Sequence, residues 1–263
     1  MLELYQFELS QYSEKVRLIL DYKGLEYKKI EVTPGVGQVE VFRLSGQSKV
    51  PVLKDGDTVV ADSTEIAFYL DRKYPEKPII PTDPLQRGLC LLMEEWADES
   101  IGIKGRKAFL GALNQNQNFR TSILPQETPD LLKNLVGAVP SELLYILGTP
   151  LGSGRDAVKE AQRDIKRDLE ALCLILTERA HLVGGQITLA DLAVAGLSII
   201  LKFPAGSYLN LPKELQGKGI PGLADNSAYE PFFNWRDRLY SEYRKPLAST
   251  STSNSSPTSI EIE

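Results

Sequence analysis

The side chains that could do chemistry in this chain are mostly hydroxyls and carboxylates at the starts of helical patterns, because histidine occurs once and cysteine twice. Ser10 and Ser13 lie where the strand-like run Leu2, Leu4, Tyr5 gives way to Tyr12, Val16, Ile19 and Leu20 at helical spacing. A serine before a helix ordinarily caps it, and its hydroxyl can also donate a hydrogen bond to a bound anion. Tyr5 offers a third hydroxyl, although an aromatic residue in a strand ordinarily packs against the core. Asp62 and Ser63 precede the apolar run Ile66, Phe68, Tyr69, Leu70, with Glu65 at capping-box spacing from Asp62. Exposed N–H donors and the helix field make such a start a place for an anion, and capping and binding can coexist there. Thr188 and Asp191 have the reciprocal capping spacing and read as structural.

Much other chemistry is disfavoured. One histidine argues against a histidine-rich metal centre, so no metal is expected. Cys90 and Cys173 lie far apart in apolar helical stretches and read as buried free thiols; with no Cys-x-x-Cys centre, dithiol redox chemistry is disfavoured. The glycine-containing runs GVGQ, GTPLGSG and PAGS lack the phosphate-loop pattern and read as flexible loops. A net charge of −5 gives no broad basic surface for nucleic acid. The opening MLELYQF reads as structure and not as a leader, and no apolar run reaches membrane-spanning length, so the expected setting is soluble and reducing, in the cytoplasm, with no membrane partner.

Two patterned regions must position these groups. In residues 1–74 the order is strand, helix, a second strand at EYKKIEV, an ambiguous crossover at GVGQVEVFRLSG, a hairpin and a helix. The hairpin is signalled by Val50–Leu53 and Thr58–Ala61 around the turn KDGD. Four prolines in YPEKPIIPTDP make 75–84 the best linker, and 85–246 then carries helical patterns from Leu85 to Trp96, from Ala157 to Arg179, and between Pro231 and Pro246. Residues 111–154 read as an irregular surface excursion in which TPDLLKNLVGAVPSELLYIL holds one or two short helices. The Ser/Thr-rich stretch 247–263 reads as a disordered tail. Trp96, Phe232, Phe233 and Trp235 suit helix packing better than a pocket wall, and Arg17 suits an exposed or inter-domain helix face.

Three separated segments, LELYQFELSQYSEKVRLIL, KVPVLKDGDTVVADSTEIAFYL and LVGGQITLADLAVAGLS, together resemble the glutathione transferase superfamily, most closely its serine-type theta- or zeta-like cytosolic branches. The resemblance implies a thioredoxin-like α/β domain followed by an all-α domain, with glutathione as co-substrate and no tightly bound cofactor. It implies that Ser10 stabilises the glutathione thiolate, with Ser13 and Tyr5 as secondary donors. It further implies that Lys49, Val50, Pro51, Asp62 and Ser63 hold the tripeptide, Pro51 after a cis bond. Tyr12 stands where proline is frequent and Asp62 where glutamate is. The partner substrate implied is a small hydrophobic electrophile, and the implied assembly is a homodimer. Alternatives are a catalytically weak glutathione-binding or scaffold protein, or a glutathione-dependent isomerase, dehalogenase or reductase.

Overall fold

The computed structural model describes residues 1–33, 37–122 and 155–247. Four strands, β1 (Leu2–Gln6), β2 (Tyr27–Glu31), β3 (Val52–Asp55) and β4 (Thr58–Ala61), form one mixed sheet in the order β2-β1-β3-β4. β1 runs parallel to β2 and antiparallel to β3, and β3 pairs antiparallel with β4. The parallel pair requires a crossover, which is helix α1 (Gln11–Lys23). The turn at Gly56, with φ 60°, closes the hairpin that the KDGD signal predicts.

α2 (Gln38–Ser45) lies on one side of the sheet, over a small core of Val32, Val41 and Val52. It resolves the ambiguous crossover as helix. Val39 and Phe42 are exposed there, so their strand preference is not reinforced by burial. α1 and α3 (Ser63–Lys73) pack with Leu2, Leu4 and Leu53 into the large core, which continues into the helical region. Between α3 and α4 (Pro84–Ala97), the proline-rich stretch is packed: Ile79 and Ile80 are buried, the Ile79 N–H donates to Asp71, and its carbonyl accepts from Leu189.

α4 runs without a break into a π-helix, Asp98–Lys104, and then α5 (Gly105–Gln115) and α6 (Gln117–Ser122). The polar run NQNQNF thus falls largely in helix. TPDLLKNLVGAVPSELLYIL, GTPLGSG, residues 34–36 and the tail beyond residue 247 lie outside the described residues. The other α-helices among the described residues are α7 (Arg155–Glu178), within two residues of the expected Ala157–Arg179, α8 (Leu189–Leu197), and α9 (Glu230–Tyr243), which starts beside Pro231 and ends three residues before Pro246.

The helical region meets the sheet region chiefly where α8, buried along its whole length, crosses α1. Gly196 permits this crossing, because a Cβ there would stand 2.6 Å from Lys15 Cα. α1 is consequently buried on nearly all sides, and its charged residues cannot face water.

Candidate active site

Strand register brings three of the sequence-predicted segments to one end of the sheet. Tyr5, near the end of β1, pairs with Val52 at the start of β3, and Val52 pairs with Ala61 at the end of β4. The Ser10 turn leaves β1 at this end, Val50-Pro51 enters β3 there, and Asp62-Ser63 follows β4 there. The Val50–Pro51 peptide is cis, the isomer implied by the resemblance. Lys49 adjoins it and is exposed, while Val50 is half-buried against the small core.

Ser10 is the N-cap of α1: its Oγ accepts the Ser13 N–H at 3.2 Å. That contact uses a lone pair and leaves the hydroxyl proton available, and the residue is half-buried at the turn. Ser13 is fully buried, and its Oγ has no hydrogen-bond partner among the described residues. Tyr5 points to the α2 side, packed with the small core. The register therefore gathers the Ser10 turn with the other two segments, while the Ser13 hydroxyl is sealed in the core and the half-buried Tyr5 packs against the α2 side.

Asp62 is exposed and has φ 76° and ψ 136°, the one non-glycine residue with positive φ among those described. Its Oδ1 accepts from the N–H groups of Thr64 and Glu65 at 2.8 and 3.3 Å, the forward half of the expected box. Ser63, only 3% exposed, is the first residue of α3. Backbone strain held at such a place costs about 1–3 kcal/mol and is found preferentially at ligand sites.

Two buried charge networks stand behind the turns. In the first, Glu14 accepts from Arg17 and Arg244, and Arg244 also reaches Asp21 at 2.7 Å. Burial acts to raise the Glu14 carboxyl, but the Arg244 and Arg17 guanidiniums overcome it and hold it at about 2. Arg17 is completely buried, which rules out the exposed alternative of the sequence expectation and leaves the inter-domain one. It donates to Gln6 and to the Glu8 carbonyl, so it braces the strand-to-turn exit. Glu8 also accepts the Asn210 N–H at 3.0 Å, tying the turn to the helical region. In the second network Lys15 Nζ meets Glu94, Asp98 and Thr64, the residue after Ser63. Burial pushes the Asp98 carboxyl up, opposed by Lys15.

Sequence reasoning missed these supports because their partners are remote: Arg244 lies 230 residues from Glu14. It also missed the contact of Tyr12 and Gln11 with the π-helix, where Tyr12 Oη donates to the Asp98 carbonyl at 3.1 Å and Gln11 Nε2 to that of Gly102 at 3.2 Å.

Thr188 and Asp191 stand elsewhere, at the start of α8, as a capping box. The Asp191 carboxylate accepts from the Thr188 N–H and hydroxyl and from the Leu182 N–H at 2.8–2.9 Å. Phe232, Phe233 and Trp235 are core residues, and Trp96 is half-buried against that core. Cys90 and Cys173 are buried free thiols. Among the described residues no cluster of three metal-ligating side chains occurs, and no helix is long and apolar enough to cross a membrane.

Family comparison agrees with this architecture. The model of the glutathione S-transferase N-terminal domain matches residues 4–78 and that of its C-terminal domain matches residues 137–211, together more than half of the chain. Glutathione S-transferase 1 of Dianthus caryophyllus is 42% identical over 91 residues, which are 34% of this chain and 41% of the relative. A zeta-class glutathione S-transferase of Euphorbia esula is 40% identical over 85 residues, 31% of this chain and 38% of the relative. Among solved structures, the beta-etherase LigF of Sphingobium sp. strain SYK-6 superposes with a TM-score of 0.66 at 22% identity, over 91% of this chain and 94% of that one. This likeness extends the shared fold across both regions. The match spans about two fifths of the length of the named sequence relatives. The chain belongs to the glutathione S-transferase family, with a thioredoxin-like domain followed by a helical domain.

Proposed function

We propose that the protein binds glutathione at the shared end of β1, β3 and β4 and joins its thiolate sulfur to a small apolar electrophile, so that the whole tripeptide is transferred. The observation that carries this reading is the register that gathers the Ser10 turn, cis-Pro51 and the strained Asp62 start of α3. In this reading Val50 pairs its backbone with the cysteinyl unit as an added strand would. Lys49 attracts the glycyl carboxylate. Ser63, with its hydroxyl and its own N–H at the start of α3, takes the γ-glutamyl carboxylate, and Asp62 takes the ammonium.

Ser10 acts as a donor and not as a base. Its free proton hydrogen-bonds the sulfur anion, a charge-assisted contact worth about 1.5–3 kcal/mol, which lowers the thiol pKa by about one to two. From about 8.5, a drop to about 7 raises the thiolate from a few per cent to roughly half at neutral pH. The thiol proton leaves to solvent. The thiolate electron pair forms a bond to the electrophilic carbon, and the leaving group departs with its own pair, or a ring-opened oxygen takes a proton from water. Holding the two reactants together supplies the remaining advantage. The half-buried Ser10, at the turn itself and with its hydroxyl proton uncommitted, suits this role better than the sealed Ser13 or Tyr5, whose ring packs against the small core.

A homodimer belongs to the same reading, supported by Leu85, Leu89 and Leu92, which are exposed on one stripe of α4. A cytoplasmic setting is supported by cysteines kept as free thiols. Initial rates with aryl halides, epoxides and isothiocyanates test the activity. Saturation by glutathione should persist in Ser10→Ala while kcat falls roughly 10- to 100-fold. Unchanged turnover in that variant would remove Ser10 from its role. Binding without turnover in the parent would replace the transferase by a glutathione-binding or scaffold protein, or by an isomerase or dehalogenase using the same reagent site.

A further inference from the structure

We propose that Tyr12 is a positioning residue: its phenol, seated in a notch of the π-helix Asp98–Lys104, fixes the Ser10 hydroxyl relative to the glutathione sulfur. The inference rests on the glutathione-site reading above and adds to it a residue outside the set that would touch the ligand.

Tyr12 is the second residue of α1, two positions after Ser10. The connection between them is stiff. The Ser10 N–H donates to the Phe7 carbonyl at 2.9 Å, its carbonyl accepts from Glu14 at 2.9 Å, and its Oγ caps Ser13. A displacement of the first turn of α1 is therefore transmitted to the Ser10 side chain. That first turn is fastened at two points, Tyr12 Oη to the Asp98 carbonyl and Gln11 Nε2 to the Gly102 carbonyl. A carbonyl has two lone pairs, so each can accept a side chain in addition to any backbone bond.

The seat for the ring is narrow. A Cβ on Gly102 would lie 2.4 Å from Tyr12 Oη and 2.9 Å from Cζ, so only glycine leaves room for the phenol. Glycine inside a helix costs about 1 kcal/mol relative to alanine, and π-helical turns are rare and concentrate at functional sites. Here both features occur where the helical domain touches the proposed sulfur-activating turn. Burial, followed by the nearby Asp98 charge, pushes the phenol up to about 12, so it remains a neutral donor through the working range. Asp98 also receives Lys15 at 2.8 Å and lies 3.2 Å from Thr64 Oγ1. The residue that accepts from Tyr12 is thereby fastened to the Asp62-Ser63 side of the site as well.

The test is Tyr12→Phe, which keeps the ring and removes only the donor, compared with Ser10→Ala and the double variant. The readout is the pH midpoint for forming the thiolate of bound glutathione, followed by its ultraviolet absorbance, with kcat and KM for glutathione. Tyr12→Phe should raise the midpoint by about 0.5–1 and lower kcat at neutral pH roughly 3- to 10-fold, with KM within about twofold. In Ser10→Ala the same change should add little, because the residue it positions is gone. Gly102→Ala, which crowds the phenol, should shift the midpoint in the same direction, with folding checked by thermal unfolding. A shift in Ser10→Ala with none in Tyr12→Phe overturns the positioning role alone. No shift in Ser10→Ala overturns the Ser10 reading and the positioning role with it. Full additivity in the double variant also overturns the proposal, since it would show Tyr12 acting by another route.

Discussion

The starts of α3 and α8 use the same elementary device for opposite ends. At α8, Thr188 and Asp191 are buried, and the carboxylate is shared among the Thr188 N–H, the Thr188 hydroxyl and the Leu182 N–H. At α3, Asp62 is exposed, is held at φ 76° and satisfies the helix in the forward direction only. A helix start whose carboxylate is fully occupied by its own chain has little left to offer a ligand. One whose carboxylate is open to solvent keeps an acceptor oxygen and the helix field pointing outward, at the cost of local stability. The largest test of this contrast is Asp191→Ala, which strands buried N–H groups at Thr188 and Leu182. It should cost about 3–5 kcal/mol in urea unfolding, because each stranded group carries its own desolvation penalty. Glutathione affinity of the fraction that remains folded should not change. A specific loss of affinity would place the α8 cap in the site.

α1 presents the contrast within one helix. It is capped by the half-buried Ser10, whereas the following turns are fixed by Glu14, Arg17 and Arg244 without access to water. Glu14 has a folded-state pKa of about 2 against a reference of 4.5. A depressed acid stabilises the fold above its unfolded pKa, and that contribution is lost as pH falls through the folded value. By about pH 3 roughly 2 kcal/mol of it should be gone. The stability gap between the parent and Glu14→Gln, large near neutral pH because the substitution leaves two buried guanidiniums facing an amide, should narrow by that amount on acidification. A gap that stays constant would show that Glu14 does not titrate in this window.

These differences also mark what the sequence could disclose. The KDGD turn and the Thr-x-x-Asp box are local patterns, and each could be read because its partners lie within a few residues, whereas the cis bond at Val50-Pro51 was legible only through the family resemblance. α2 was ambiguous because its β-branched residues argue for a strand while its exposure permits a helix. Arg17 could not be seen as buried. Its burial depends on Arg244 neutralising the excess acid of the same cluster, a contact made only when α9 closes on α1. The π-helix was equally hidden, since DESIGIK has no composition that separates it from an α-turn, and Gly102 acquires meaning only beside Tyr12.

The smallest expected effect on stability is also the one that separates capping from binding most cleanly. At Asp62, alanine removes the cap and keeps a Cβ in a backbone region that disfavours one, so Asp62→Ala should destabilise by about 1–2 kcal/mol. Glycine removes the same cap but occupies positive φ without strain and costs only a few tenths as an N-cap. Asp62→Gly should therefore stay within about 1 kcal/mol of the parent in unfolding. If Asp62 also pairs with the ligand ammonium, both variants lose that contact equally, and glutathione affinity should fall roughly tenfold in each, as measured by calorimetric titration. Equal loss of affinity with unequal loss of stability would assign the carboxylate to the ligand. Affinity that follows stability, retained in glycine and reduced in alanine, would mean that Asp62 serves only to hold the start of α3.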